Sequence, residues 1–108
     1  EENLQNNAKN VGDYYLKQLN NLKKEFSCIG DIRGTGLFVG IEIVKKDSKI
    51  PDKRLAQKIK NDLRKNYILV GSDGPHDNVI KSKPPICFTK ENVNQVIASL
   101  NIILKKYI

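Results

Sequence analysis

Two lysines, Lys81 and Lys83, are the strongest candidates for chemistry in this chain of 108 residues. They lie in the segment VIKSK, and an extended strand points successive side chains to opposite faces of a sheet, so Val79, Lys81 and Lys83 would share one face. The two cations would then be roughly 6 to 7 Å apart. Such a pair either points into solvent, as lysines near a sheet edge commonly do, or lines a cleft and binds an anion.

The other residue types used in catalysis are sparse. His76 is the only histidine, and because it follows Gly74 and Pro75 in a predicted turn, we expect a loop residue rather than an acid-base catalyst. Cys28 and Cys87 are far apart and match no metal-ligand spacing. No serine or cysteine has a base at a recognisable spacing. The sequence therefore predicts no catalytic residue and no metal ligand in this chain.

The glycines of GTGLFVG could suggest a dinucleotide site. Their spacing is G-x-G-x-x-x-G, and the segment leads into a strand instead of following a strand and opening a helix, so the phosphate-binding geometry is missing. We expect Gly34, Gly36 and Gly40 to serve a turn and a close backbone approach. No cofactor-binding residue is predicted here.

Charge and composition limit the possible partners. The formal net charge is +7, but sixteen of the nineteen cations are lysines spread along the whole sequence. Arginine, which grips phosphates and guanine with two hydrogen bonds, occurs only at Arg33, Arg54 and Arg64. This favours a solvated surface over a nucleic-acid site. No apolar run is long enough to cross a bilayer, so we expect an intracellular protein without a membrane partner.

Hydrophobic periodicity predicts the order α-β-β-α-β-β-α in one domain covering residues 1–108. Apolar residues three and four apart indicate three helices, and Thr89 suits the start of the last one. The fold class is α+β, a mostly antiparallel sheet with helices on one face. The predicted helices cover about residues 2–25, 50–66 and 90–108, and the predicted strands cover 29–33, 37–43, 67–73 and 78–83.

Three segments together resemble one enzyme family. NLQNNAKNVGDYYLKQL, IGDIRGTGLFVGIEIV and SDGPHDNVIKSKPPICFT are similar to the C-terminal small domain of the class III aminotransferases, pyridoxal-phosphate (PLP) enzymes of fold type I. The third segment resembles the branch that contains ethanolamine-phosphate phospho-lyase and 5-phosphohydroxylysine phospho-lyase, often labelled alanine-glyoxylate aminotransferase 2-like. The resemblance spans almost the whole chain.

The resemblance implies that the cofactor site and this chain belong to different domains of a longer enzyme. The lysine that carries PLP and most of the cofactor site would belong to a large domain that precedes the matched region, so this chain alone would be inactive. The enzyme would be a homodimer in the mitochondrial matrix or cytoplasm. Its PLP would stabilise a carbanion at the carbon that bears the amine, and this carbanion would expel a phosphate from the neighbouring carbon.

Position 81 distinguishes two reactions within the family. The wider class typically has an arginine there, which holds a substrate carboxylate, and this chain has Lys81. A lysine is a point charge that suits a phosphate better, and Lys83 would add a second charge. The resemblance thus implies a phospho-lyase that acts on a phosphorylated amine, with Lys81, more weakly Lys83, and His76 at the rim as substrate-binding residues. A true aminotransferase of the alanine-glyoxylate type is the alternative, and a free-standing basic RNA-binding module is the alternative from another class.

Overall fold

Helices and strands follow each other along the chain in the predicted order. The computed structural model describes residues 2–35, 37–65, 71–73, 78–83 and 88–107. The elements are α1 (Glu2–Glu25), β1 (Ile29–Thr35), β2 (Phe38–Ile43), α2 (Lys53–Lys65), β3 (Gly71–Asp73), β4 (Val79–Ser82) and α3 (Lys90–Lys106). The predicted start of the third strand, residues 67–70, lies outside the described residues.

The four strands form one sheet in the order β1-β2-β4-β3, and every neighbouring pair is antiparallel. β2 and β4 are the interior strands, so both have a hydrogen-bonded neighbour on each side. The α+β prediction is confirmed. Across the described ranges, no helix is long and apolar enough to cross a membrane.

The helices cover one face of the sheet. Val39, Ile41 and Ile43 alternate along β2 and are buried, which confirms the predicted alternation. Ile80 on β4 completes the inner face of the sheet. The helices contribute most of the other buried apolar residues: Val11, Tyr15, Leu19 and Leu22 from α1, Ala56, Ile59 and Leu63 from α2, and Val93, Val96, Leu100, Ile103 and Leu104 from α3.

The β1–β2 hairpin is longer than the sequence predicts, because Gly34 and Thr35 continue β1 beyond the predicted end at Arg33. Gly34 is needed at a close approach, since a Cβ atom there would lie 2.8 Å from the carbonyl oxygen of Phe38. Gly34 and Gly40 lie on two paired antiparallel strands and not at a strand-to-helix turn. The hairpin thus lacks dinucleotide-binding geometry, while Gly36 lies outside the described residues.

The helix starts show one confirmed prediction and one difference. Thr89 caps α3, because its hydroxyl accepts a hydrogen bond from the Asn92 backbone and Asn92 in turn accepts one from the Thr89 backbone. For α2, Pro51 and Asp52 precede the helix instead of forming its first turn. Asp52 accepts a hydrogen bond of 3.0 Å from the Leu55 backbone N–H, so this carboxylate is the N-cap.

A polar cluster joins α2 to the end of α3. The Asp62 carboxylate is buried and accepts hydrogen bonds from the Tyr107 hydroxyl at 2.6 Å and from the Lys106 ammonium at 3.3 Å. The Tyr107 hydrogen bond is the main cause that lowers the pKa of Asp62. The same bond raises the pKa of Tyr107. The cluster therefore fixes the C-terminal turn against α2.

Candidate functional site

The face of the sheet away from the helix layer carries the candidate site, and we call it the open face. On β4, Ile80 and Ser82 are buried toward the helices, while Val79 and Lys81 are partly buried on the open face. Lys83, just after β4, is exposed. The predicted alternation along this strand is confirmed. The two lysines therefore belong to the surface that the described helices leave uncovered.

Lys81 lies between two glycines across the sheet. Its Cα pairs with Gly40 on β2 and with Gly71 on β3. Because side chains on paired positions share a face, the two glycines leave no side chain directly beside Lys81 on either neighbouring strand. Strands on both sides also hold the backbone of residue 81. The backbone of Lys81 is thus held by strand pairing on both sides, and the two paired residues have no side chains next to it.

Phe38 provides an aromatic surface for both lysines. The Lys81 Nζ lies 5.3 Å from the centroid of the Phe38 ring, and the Lys83 Nζ lies 4.8 Å from the same centroid. Both distances are within the range in which the ring face attracts a cation. Phe38 is 39% exposed, so the ring and the two ammonium groups remain reachable from the open face.

Ser82 fixes the strand from the other side of the sheet. Its Oγ accepts a hydrogen bond of 3.1 Å from the Tyr15 hydroxyl in the buried layer beneath α1. Burial raises the pKa of Tyr15, with the Ser82 hydrogen bond acting in the opposite direction. This contact ties β4 to α1 and, by the alternation of the strand, keeps the neighbouring lysines on the open face.

A second charged group occupies the β1 side of the open face. Arg33 pairs with Asp31 at 3.0 Å through its Nε and with Glu42 at 2.9 Å through its Nη2. Glu42 lies on the face opposite the apolar residues of β2. Arg33 is thus engaged with two carboxylates within the sheet, whereas the Lys81 and Lys83 ammonium groups lie over the Phe38 ring.

The remaining site predictions meet the structure only in part. His76 and Cys87 lie outside the described residues. Cys28 is buried, and burial raises the pKa of its thiol, which disfavours the reactive thiolate. In the described ranges, no three histidine, cysteine, aspartate or glutamate residues are placed to hold a metal ion.

Sequence reasoning missed the roles of Phe38 and Ser82. Both depend on the strand register, because Val39 pairs with Ser82 and Gly40 pairs with Lys81. Alternation along one strand gives the face of each residue but not its neighbour on the next strand. A predicted hairpin register for β1 and β2 would not have identified these contacts either, since β4 is the partner.

Comparison with known proteins matches the sequence of this chain to one enzyme family. The family described as "Aminotransferase class-III" matches residues 1–104. A Drosophila melanogaster protein named alanine–glyoxylate aminotransferase 2-like is 52% identical over 99 residues, which are 90% of this chain and 20% of that protein. A Caenorhabditis elegans protein named ethanolamine-phosphate phospho-lyase homolog 1 is 42% identical over 106 residues, which are 96% of this chain and 23% of that protein.

A solved structure has the same fold. A phospholyase from Arthrobacter, determined in complex with phosphoethanolamine, superposes with a TM-score of 0.91 and 35% identity. The match covers 96% of this chain and 25% of the Arthrobacter chain. The chain thus spans about a fifth to a quarter of the length of these relatives.

Proposed function

This chain belongs to the class-III aminotransferase family, and we propose that it is the C-terminal domain of a phospho-lyase that eliminates phosphate from ethanolamine phosphate or a similar phosphorylated amine. The observation that carries the proposal is the position of Lys81 on the open face. The names of the C. elegans relative and of the Arthrobacter structure support the same substrate class.

Lys81 would bind the phosphate group of the substrate. Its backbone is held on both sides, its paired neighbours across the sheet are glycines, and its ammonium lies over the partly exposed Phe38 ring on the open face. A bound phosphate would gain charge-assisted hydrogen bonds from Lys81, and Lys83 adds a second donor. Fixing this end of a small substrate orients the bond that must break.

The family implies PLP as cofactor, but the described residues of this chain do not fit a PLP site. The cavity beneath the sheet has a volume of about 10 Å³ and is lined by aliphatic side chains, among them Leu19, Ile41 and Ile80, and the larger open hollows of about 390 and 440 Å³ are lined by residues of the helices and not of the open face. Pockets for molecules of cofactor size are typically hundreds of cubic ångströms and include polar groups. We therefore assign to this chain a substrate-binding role, and to the rest of the full-length protein the cofactor site.

The open face would be completed by other parts of the full-length enzyme. Charged residues such as Lys81 and Arg33 share this face with the partly buried Val79, which is the mixed composition of an interface between domains. In this proposal the large domain covers the open face and closes the substrate cleft. A homodimer is the proposed assembly.

An aminotransferase of the alanine-glyoxylate type is the second candidate, because the D. melanogaster relative carries that name. Steady-state assays of the full-length protein separate the two. Release of inorganic phosphate and acetaldehyde from ethanolamine phosphate supports the phospho-lyase. Amino transfer to pyruvate or glyoxylate without phosphate release would refute it.

The role of Lys81 has its own test in the same protein. Lys81→Ala should raise the KM for ethanolamine phosphate about 10- to 100-fold, the loss expected for a charged hydrogen-bond donor. Lys58→Ala is the matched control, because Lys58 is an exposed lysine that also lies over an aromatic ring, that of Tyr107, but belongs to the helix layer. Equal KM values for the two variants would remove Lys81 from the site.

A further inference from the structure

We propose that Phe38 is a positioning residue that holds the Lys81 and Lys83 ammonium groups together as a two-charge site selective for a phosphate dianion. The inference rests on the proposed function, because it concerns the same anion site. It adds a residue that touches neither the reacting bond nor, necessarily, the substrate, and it explains how two lysines become one site.

The geometry that carries the inference is the shared ring. Lys81 and Lys83 extend from β4 and its end, whereas Phe38 extends from the neighbouring strand β2, and both ammonium groups lie within 5.3 Å of the ring centroid. Gly40 pairs with Lys81 and lies two residues from Phe38 on the same face of β2. A Cβ atom at Gly40 would lie 3.3 Å from a methyl group of Val79.

The aromatic ring reduces two energetic costs of placing two lysine side chains close together. Two ammonium groups repel each other, and each lysine side chain loses about 2 kcal/mol of rotamer entropy when it is fully ordered. The electron-rich ring face attracts both cations, which offsets part of the repulsion and restricts the side chains before a ligand arrives. Such preorganisation reduces the cost of binding.

The paired charges then set the preference for the ligand. A phosphate monoester carries a charge of about −1.5 to −2 near neutral pH, whereas a carboxylate carries a single negative charge. A second ammonium group contributes its full electrostatic attraction to binding only when the ligand carries a second negative charge. The pair held by Phe38 therefore favours phosphate over carboxylate, which a single lysine would do less strongly.

The experiment compares Phe38→Leu with Phe38→Tyr in the full-length protein. Leucine keeps apolar bulk but removes the ring, and tyrosine restores it. Loss of two cation–ring contacts should weaken inorganic phosphate binding, measured by calorimetry, about 5- to 30-fold. Acetate, as a monoanion probe, should lose less. The KM for ethanolamine phosphate should rise in parallel while kcat stays within about twofold, and Phe38→Tyr should return both values close to wild type.

The outcomes separate this inference from the proposed function. Unchanged phosphate binding in Phe38→Leu, together with weakened binding in Lys81→Ala, overturns the role of Phe38 and leaves the proposed function standing. Unchanged binding in Lys81→Ala removes the anion site and this inference with it. If circular dichroism shows that Phe38→Leu does not fold, Phe38→Trp decides: its larger ring should retain or strengthen phosphate binding, and a loss of binding overturns the proposal.

Discussion

The hydroxyl of Tyr107 donates a hydrogen bond of 2.6 Å to the buried carboxylate of Asp62, which joins the end of α3 to α2 across 45 residues of sequence. Because Lys106 also donates to this carboxylate, Asp62 is the common acceptor of the contact. The hydrogen bonds from Lys106 and Tyr107 at the end of α3 thus converge on one carboxylate of α2.

Asp62→Ala should lower the free energy of unfolding by about 1–2 kcal/mol, since two donors lose their acceptor. Asp13→Ala is the control, because Asp13 is an exposed aspartate on α1. Thermal unfolding of both variants measures the difference. Equal melting temperatures would mean that the Asp62 contacts contribute nothing net to stability.

The same residue predicts how stability depends on pH. The folded protein lowers the pKa of Asp62 below its ordinary value of 3.8, mainly through the Tyr107 hydrogen bond. The stability from this carboxylate is therefore fully present above pH 3.8 and is lost as the pH falls through the lowered pKa of the folded state. Urea unfolding of wild type and Asp62→Asn should show a difference at pH 6 that shrinks below pH 3.8. A constant difference would contradict the assignment.

Two glycines of the hairpin should respond differently to alanine. A Cβ atom at Gly34 meets the Phe38 carbonyl oxygen at 2.8 Å, and backbone cannot move aside without breaking the strand pairing. At Gly40 the nearest contact is a Val79 methyl group at 3.3 Å, which has room to adjust. We expect Gly34→Ala to cost about 1–3 kcal/mol and Gly40→Ala less. Chemical unfolding gives both values, and the reverse order would show that the hairpin is free to relax at Gly34.

Tyr15 and Ser82 should show coupling in a double-mutant cycle. Ser82→Ala leaves a buried hydroxyl of Tyr15 without its acceptor, at a cost of about 1–3 kcal/mol, and Tyr15→Phe removes the donor as well. The double variant should therefore be less destabilised than the sum of the single variants. Strict additivity in urea unfolding would indicate that the 3.1 Å contact is not a functioning hydrogen bond.

Burial of the Tyr15 phenol gives a separate prediction at alkaline pH. Its pKa is raised above the ordinary value of 10.0, so the stability from the neutral phenol is present below pH 10.0 and is lost as the pH rises through the raised pKa. Tyr15→Phe should flatten this part of the stability profile. An unchanged alkaline slope in the variant would assign that pH dependence to other groups.

The sequence predicts the fold well where one periodic pattern dominates. The stripe of Val11, Tyr15, Leu19 and Leu22 gives α1 with its bounds at residues 2–25, and the alternation on β2 gives its buried face. Helix α2 is less regular: Leu55 is only partly buried, whereas Ala56 is buried together with Ile59 and Leu63. The predicted helical period of α2 is correct, but packing against β2, β4 and α3 determines which of its residues face the core.

The candidate site is predictable only at the level of one strand. Alternation correctly gives Lys81 and Lys83 one face, because that property is local to β4. The Phe38 ring and the flanking glycines Gly40 and Gly71 come from neighbouring strands whose register depends on the whole sheet. Contacts of this kind join residues that are far apart in the sequence, so a local sequence pattern does not predict them.

The two glycines paired with Lys81 allow a different side chain at position 81. The interior strand keeps its ladder of backbone hydrogen bonds whatever side chain residue 81 carries, and neither paired position on β2 or β3 has a side chain that must repack when that residue changes. A lysine-to-arginine replacement there would alter the reach and hydrogen-bonding pattern of the cation while leaving its support intact. Under the proposed function, one amino-acid replacement would thus redirect the same fold from phosphorylated amines toward amino acids.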